Sequence, residues 1–346
     1  MVSESLLNII MLIEVVLLVI TVAGYFLHGL WLRVTVRRTE KLSGSAREAL
    51  ARLVTRGQVN VEDMSVLSAL PHEVCTLAFL EIATNLSGTG QERLRFIAEK
   101  AGLVDRARLL CRDRRWTRRL RGARILSQLD YQDKLVLTLL GDEHPAVRAQ
   151  AAEWAGAHES PEVVAAMLEH LADSATQARF AVQTSLLRMG SSIAAPLAGF
   201  LETHTGRAAE AALRVAESIA EPRFSAAALN LSRNEDGDVR VAAAKLLGAI
   251  GGADSAGRLT ELLADADPNV RAAAASSLGR MNYWQSASLL AERLRDERWV
   301  VRRASGLALR SLGAAGTLLL RKAVRGDDQF AADMAQQVLD LPEAAA

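Results

Sequence analysis

Beyond Gly102 the apolar positions come in short blocks three and four residues apart, the signature of one buried helical face, and no stretch alternates with the period of two expected of a half-buried strand. The blocks recur. Val147-Arg148, Ala178-Arg179, Val239-Arg240, Val270-Arg271 and Val301-Arg302 stand 31, 61, 31 and 31 residues apart, so a period near 31 is explicit and the double gap hides a degenerate copy around Arg207. Carried backward the register reaches Thr117-Arg118, and forward Ala331-Ala332, which makes about eight units between Gly102 and Leu341.

One unit shows the grammar. Leu259, Leu262 and Leu263 mark a first helix, Asp265-Ala266-Asp267-Pro268-Asn269 a tight turn, and Ala274, Ala275 and Leu278 a second helix. Asp267 is placed to cap the second helix, and Pro268 suits its first position, where a missing N–H costs nothing. Ala274-Ala275, Ala243-Ala244 and Ala151-Ala152 keep the second helices slim. Gly248 and Gly279 are expected to end them in a left-handed conformation. Gly251-Gly252 punctuates two helices. No unit of this length can bury its apolar face alone, so the units must stack.

Residues 46–100 are also helical in pattern, with apolar stretches at Ala49 to Val54, Val74 to Leu86 and Leu94 to Ile97, but they keep no 31-residue register. A capping region with one face toward solvent would read this way.

The first thirty-odd residues differ again. From Leu6 to Leu32 the chain is apolar enough to cross a hydrocarbon core, and no basic residue precedes the run as it would in a cleaved leader. Arg33, Arg37, Arg38 and Lys41 follow it, so the basic residues put that side, and everything after it, in the cytoplasm of a cell with a bacterial-type inner membrane. Glu14, Thr21 and His28 recur at intervals of seven, nearly two helical turns, and form one polar stripe. Either this stripe meets a partner helix, or Glu14 is protonated in lipid and His28 sits among headgroups. The organisation expected is a membrane-spanning helix over 5–32, a basic linker over 33–45, an atypical helical cap over 46–100, a repeat solenoid over 101–341 and a tail over 342–346.

Composition agrees with an all-α chain: half the residues are hydrophobic and only 4% aromatic, with Ala and Leu supplying most of the apolar excess. Forty-one basic against 40 acidic residues leave +1, so no bulk attraction draws the whole molecule to nucleic acid or anionic lipid. Cys75 and Cys111 have neither disulfide-framework nor metal-site spacing and suit core packing.

Asp267-Pro268-Asn269-Val270-Arg271, echoed by Asp236-Gly237-Asp238-Val239-Arg240 and His144-Pro145-Ala146-Val147-Arg148, resembles HEAT repeats, specifically the short class of roughly thirty residues found in phycobilin-lyase-like proteins. The resemblance covers about 70% of the chain. It implies an α-solenoid with a concave binding surface and a role in protein assembly; it carries no chemistry, cofactor or metal.

Two arginine sets are candidates for function. The repeated Arg118, Arg148, Arg179, Arg240, Arg271 and Arg302 could line a groove for an acidic partner. Asp142, Asp173, Asp265 and Asp296 each lie six residues before one of them, so a structural ladder, pairing arginine with a turn carboxylate of its own or an adjacent unit, explains the spacing without a ligand. The second set is dense: nine arginines lie between Arg106 and Arg124 with Asp113 as the one opposing charge. Arg114, Arg115, Trp116, Arg118, Arg119, Arg121 and Arg124 form a patch for anionic lipid, an acidic protein or nucleic acid, or else a solvated basic helix. Position near the membrane end favours lipid or a membrane partner, and scarce aromatics argue against nucleic acid. The six histidines show no metal-binding pair and no phosphate loop follows a strand, so the sequence points away from an enzyme. The leading expectation is a membrane-anchored cytoplasmic scaffold or adaptor for a protein partner. One anchor followed by such repeats resembles bacterial accessories of membrane machinery, such as a polysaccharide glycosyltransferase. The alternative is a lipid- or nucleic-acid-binding module acting through Arg106 to Arg124.

Overall fold

A computed structural model describes residues 17, 18, 20–26, 42–55 and 61–342. Among them every regular element is helical, and the chain divides after Asp133 into two compact units.

The first unit holds α1 (42–55), α2 (Val61–Ala69), α3 (His72–Ala83), α4 (Thr89–Lys100), α5 (Leu103–Cys111) and α6 (Trp116–Gln128). Leu50, Phe79, Leu94, Ile97, Leu126 and Leu129 are fully buried and hold it together by apolar burial, about 25 cal/mol for each Å² removed from water. α5 and α6 approach closely because position 122 is glycine: a Cβ there would lie 2.7 Å from Cys111 Sγ. Cys111 is buried, and loss of solvation pushes its thiol up to about 12. Cys75 is half-buried with its thiol also pushed up by burial, and its Sγ lies 3.1 Å from the Leu67 carbonyl. Neither is a reactive thiolate.

The second unit is a run of helix pairs: α7 (Lys134–Thr138) with α8 (Pro145–Ala155), α9 (Pro161–Glu169) with α10 (Thr176–Met189), and α11 (Ala194–Thr203) with α12 (Gly206–Ile219). It continues with α13 (Ser225–Leu231) and α14 (Gly237–Ile250), α15 (Ala253–Leu262) and α16 (Pro268–Arg280), α17 (Ala287–Glu292) and α18 (Trp299–Ser311), and α19 (Ala314–Val324) and α20 (Gln329–Leu339). With α5 and α6 these are the eight units read from the period. Within the second unit the second helices pack each on the next, from α8 on α10 through to α18 on α20, with the first helices on one side of them.

The turn grammar is realised. Asp267 Oδ1 accepts the Asn269 N–H at 2.8 Å and Pro268 opens α16; Asp236, Ser160 and Asp328 cap α14, α9 and α20 likewise. The expectation for Gly248 and Gly279 is corrected. Both lie inside their helices, and they are small because the next second helix sits against them: a Cβ on Gly279 would lie 2.7 Å from Ala308 Cα, and one on Gly248 would overlap Ser277. Left-handed backbone is used instead at Gly251 and Gly252, with φ of 78° and 91°. Close approach also lets the Ser277 hydroxyl donate to the Ala244 carbonyl of the preceding second helix at 2.9 Å.

Of the apolar N-terminal run, residues 17, 18 and 20–26 are described and helical, with Leu17, Leu18, Ile20, Val22, Tyr25 and Phe26 exposed. Thr21 donates its hydroxyl to the Leu17 carbonyl, 2.7 Å away in its own helix. Glu14 and His28 lie outside the described residues, as do most of 5–32 and the linker arginines Arg33, Arg37 and Arg38 with Lys41. Among the described residues no helix is long and apolar enough to cross a membrane.

Candidate interaction surfaces

The ladder arginines sit in the first turn of the second helices, where each guanidinium reaches back over the turn that precedes it. Arg271 donates from Nη1 to the carbonyls of Asp265 and Ala266 at 2.9 and 3.1 Å, and from Nε and Nη2 to both oxygens of Asp296 at 2.8 and 2.9 Å. Arg240 does the same with Asn234 and Glu235 behind it and Asp265 ahead. Arg148 repeats it with Asp142, Glu143 and Asp173. The carboxylate partner thus belongs to the following unit, 25 residues on, and the residue six positions earlier, Asp142, Asn234 or Asp265, serves its arginine through its backbone carbonyl. Asp296 joins two rungs, taking Arg271 on its carboxylate and Arg302 on its carbonyl.

These pairs are buried: the side chains of Arg271 and Asp296 are 9% and 4% exposed. Burial disfavours the charged form of Asp173, Asp265 and Asp296, but bonds from the arginine and from the backbone N–H two residues on outweigh it and hold each carboxyl below its usual range. Each of these guanidinium groups thus commits four of its five N–H donors to its own turn and the next unit, which leaves too little for bidentate recognition of a ligand. The ladder is structural where it is complete.

The same geometry corrects the register at the first repeat. Arg119, not Arg118, donates to the carbonyls six and five residues back, Asp113 and Arg114, at 3.1 and 3.0 Å. Arg118 instead pairs with the Asp113 carboxylate at 2.9 Å, and Arg121 reaches Glu73 on α3 at 3.3 Å. Arg114, Arg115, Arg118, Arg121, Arg124 and Trp116 are exposed, on α6 or the turn before it. Arg119 is therefore the member of the patch that the ladder claims. Arg114, Arg115 and Arg118 lie at the positive end of α6, whose first turn carries no acidic residue, so charge and helix dipole reinforce one another there, while Arg121 and Arg124 lie further along the helix. The bond from the Arg115 N–H and the ion pair with Arg118 hold Asp113 low, so it stays a carboxylate and offsets one unit of that charge. Sequence reasoning found the patch from density alone; it misassigned Arg119 because two adjacent arginines cannot be told apart by a period that shortens to 29 between Asp113 and Asp142.

With this architecture in view, comparison with known proteins gives one partial family match and a broad structural likeness. Residues 225–310 match HEAT repeats. No curated protein matches the sequence. Kap121p superposes with a TM-score of 0.61 at 14% identity, over 86% of this chain and 41% of Kap121p. Human deoxyhypusine hydroxylase aligns over 81% of this chain and 98% of its own at 16% identity, TM-score 0.31. The CpcE and CpcF complex of phycocyanin lyase from Nostoc sp. PCC7120 aligns over 68% and 93% at 18% identity, TM-score 0.33. The likeness to Kap121p, together with the matched segment, establishes the fold as an all-helical stack of HEAT-like repeats, and the chain spans less than half of that protein. The two looser superpositions carry no argument about this chain.

Proposed function

We propose that the protein is a membrane-anchored scaffold or adaptor whose repeats, on the cytoplasmic side, bind a protein partner associated with membrane machinery. The observation that supports this reading most directly is the pairing of two features. A repeat stack offers long helical surfaces and spends its buried charges on its own rungs. The described N-terminal helix leaves Tyr25 and Phe26 85% and 79% exposed beside four exposed aliphatic residues, a surface that calls for burial in lipid or against another helix. HEAT-like stacks are compatible with protein binding, and the resemblance to accessories of polysaccharide glycosyltransferases remains the suggested setting. Reporter fusions after Ala346 test the arrangement: a cytoplasmic reporter should be active and alkaline phosphatase silent. Active phosphatase at that position places the repeats on the other side and ends this reading.

The exposed arginines around α6 favour one second reading, attraction of the first unit to anionic lipid. Arg114→Gln with Arg115→Gln, neither of which forms an ion pair with an acidic side chain among the described residues, should lower binding of the chain in detergent to vesicles containing anionic phospholipid by about thirtyfold, at about 1 kcal/mol for each charge. Binding that is unchanged, or insensitive to salt, removes the patch from membrane attachment.

A further inference from the structure

The ladder lacks its carboxylate at two arginines, Arg302 near the C-terminal end, whose buried Nε has no partner among the described residues, and Arg179 within the stack, where the interruption opens a cavity. Position 25 after Arg148, Arg240 and Arg271 is aspartate in each case, but 25 after Arg179 it is His204. His204 has the extended backbone of the other turn residues, yet its ring turns away and stacks on Phe200 with centroids 3.7 Å apart. Arg179 keeps its bond to the Asp173 carbonyl at 2.8 Å and a long one to the Thr176 hydroxyl, but among the described residues no carboxylate answers its Nε edge. The same repeat lacks the next rung's arginine as well: Ala209 stands 31 residues before Arg240. Between α10 and α12 a cavity of about 250 Å³ results, lined by Arg179, Gln183, Arg207, Glu210 and Arg214. Arg214 holds Glu210 at 2.7 Å, which among the described residues leaves Arg179 and Arg207 as positive charge around the space with no carboxylate paired to it.

We infer that this gap receives an acidic side chain of the partner protein, which supplies in trans the carboxylate that aspartate supplies in cis at the complete rungs. The inference rests on the scaffold reading and names the chemistry of the partner segment. The intact rungs show what a first-turn arginine in this fold accepts: a carboxylate held by two parallel N–H···O bonds from Nε and Nη2. Arg179 is prepared for the same bond, since its Nη1 is already fixed on the turn and little rotamer freedom remains to be lost on binding. Arg207, exposed on the first turn of α12, gives a second positive contact for a neighbouring acidic residue, so an Asp- or Glu-rich stretch fits better than a lone carboxylate.

The probe is a fluorescein-labelled decapeptide of alternating glutamate and glycine, titrated by anisotropy with the full chain in mild detergent. Arg179→Gln together with Arg207→Gln should weaken binding about tenfold or more. His204→Asp is the sharper variant: it restores the carboxylate in cis, so it should raise the thermal midpoint while weakening the peptide by a similar factor. Should His204→Asp fail to fold, the half-exposed Arg179→Gln alone still decides. Equal affinity in parent and Arg179→Gln/Arg207→Gln overturns the inference, as does loss only with Arg114→Gln/Arg115→Gln, which would put the peptide on the α6 patch. Displacement by inorganic phosphate as effective as by unlabelled peptide also overturns it, since the site would then hold any small anion. The scaffold reading fails separately, through the topology of Ala346 fusions; a chain with its repeats in the cytoplasm that ignores the peptide loses only the acidic-segment inference.

Discussion

Asp296→Ala is expected to cost about 3–5 kcal/mol of unfolding free energy, because it leaves the Arg271 guanidinium buried with two of its donors unanswered. It also removes the acceptor of the Arg298 N–H that shapes the turn before α18. Asp296→Asn separates these losses: it keeps an oxygen for the turn and removes the charge, so it should fall between Ala and the parent. Glu73→Ala is the surface comparison, since its ion pair with Arg121 is 75% and 48% exposed and is worth about 0–1 kcal/mol. Urea titration followed by circular dichroism reads all three. A loss for Asp296→Ala no larger than for Glu73→Ala would mean that the rungs are ornaments of the turns rather than the joints between units. The same rungs fix the direction of acid sensitivity. Asp173, Asp265 and Asp296 titrate below their usual range in the folded chain, so their contribution is complete above the unfolded value of about 3.9 and is lost as pH falls through the lower folded values. The urea midpoint should therefore drop steeply below about pH 4, and Asp296→Asn should flatten part of that slope.

The period, the helix pairs and the capped turns were legible because each rests on local chemistry. Asp267 caps α16 through a bond two residues away, and Pro268 opens it; such features sit inside a single window of sequence. What lies between units was less legible. The carboxylates six residues before the arginines were visible, but the partner of Arg271 is Asp296, 25 residues later, and only stacking reveals that each aspartate serves one arginine with its carbonyl and another with its carboxylate. Gly248 and Gly279 were misread for the same reason: at the end of an apolar block a glycine looks like a stop, while the contact it permits belongs to the next unit. The gap at His204 and Ala209 was visible as a degenerate repeat, yet its meaning depends on knowing which bonds the complete rungs make.

Deleting residues 254–284 is expected to leave a cooperatively folded chain that has lost about a tenth of its helix, whereas deleting only 253–262, the first helix of the same unit, is expected to unfold the stack around it. The whole deletion is 31 residues, one period, so it moves every downstream residue into the place its counterpart held. Arg240 then faces Asp296 in place of Asp265, with the turn carbonyls behind it unchanged, and one rung is lost without orphaning either charge. Gly248 meets Ala308 where it met Ser277, a small residue against which a helix with no Cβ at that point still packs. The half deletion has no such register. It leaves α16 with its capped start and its alanine face but removes Leu259 and Leu262, which are buried and fill the space beside the second helices. Cavities of that size cost about 2–5 kcal/mol for each large side chain removed, more than a stack of marginal stability can absorb. Circular dichroism and urea midpoints for the two deletions decide the matter: comparable loss of helix and of cooperativity in both would show that the second unit is held by contacts other than nearest-neighbour stacking.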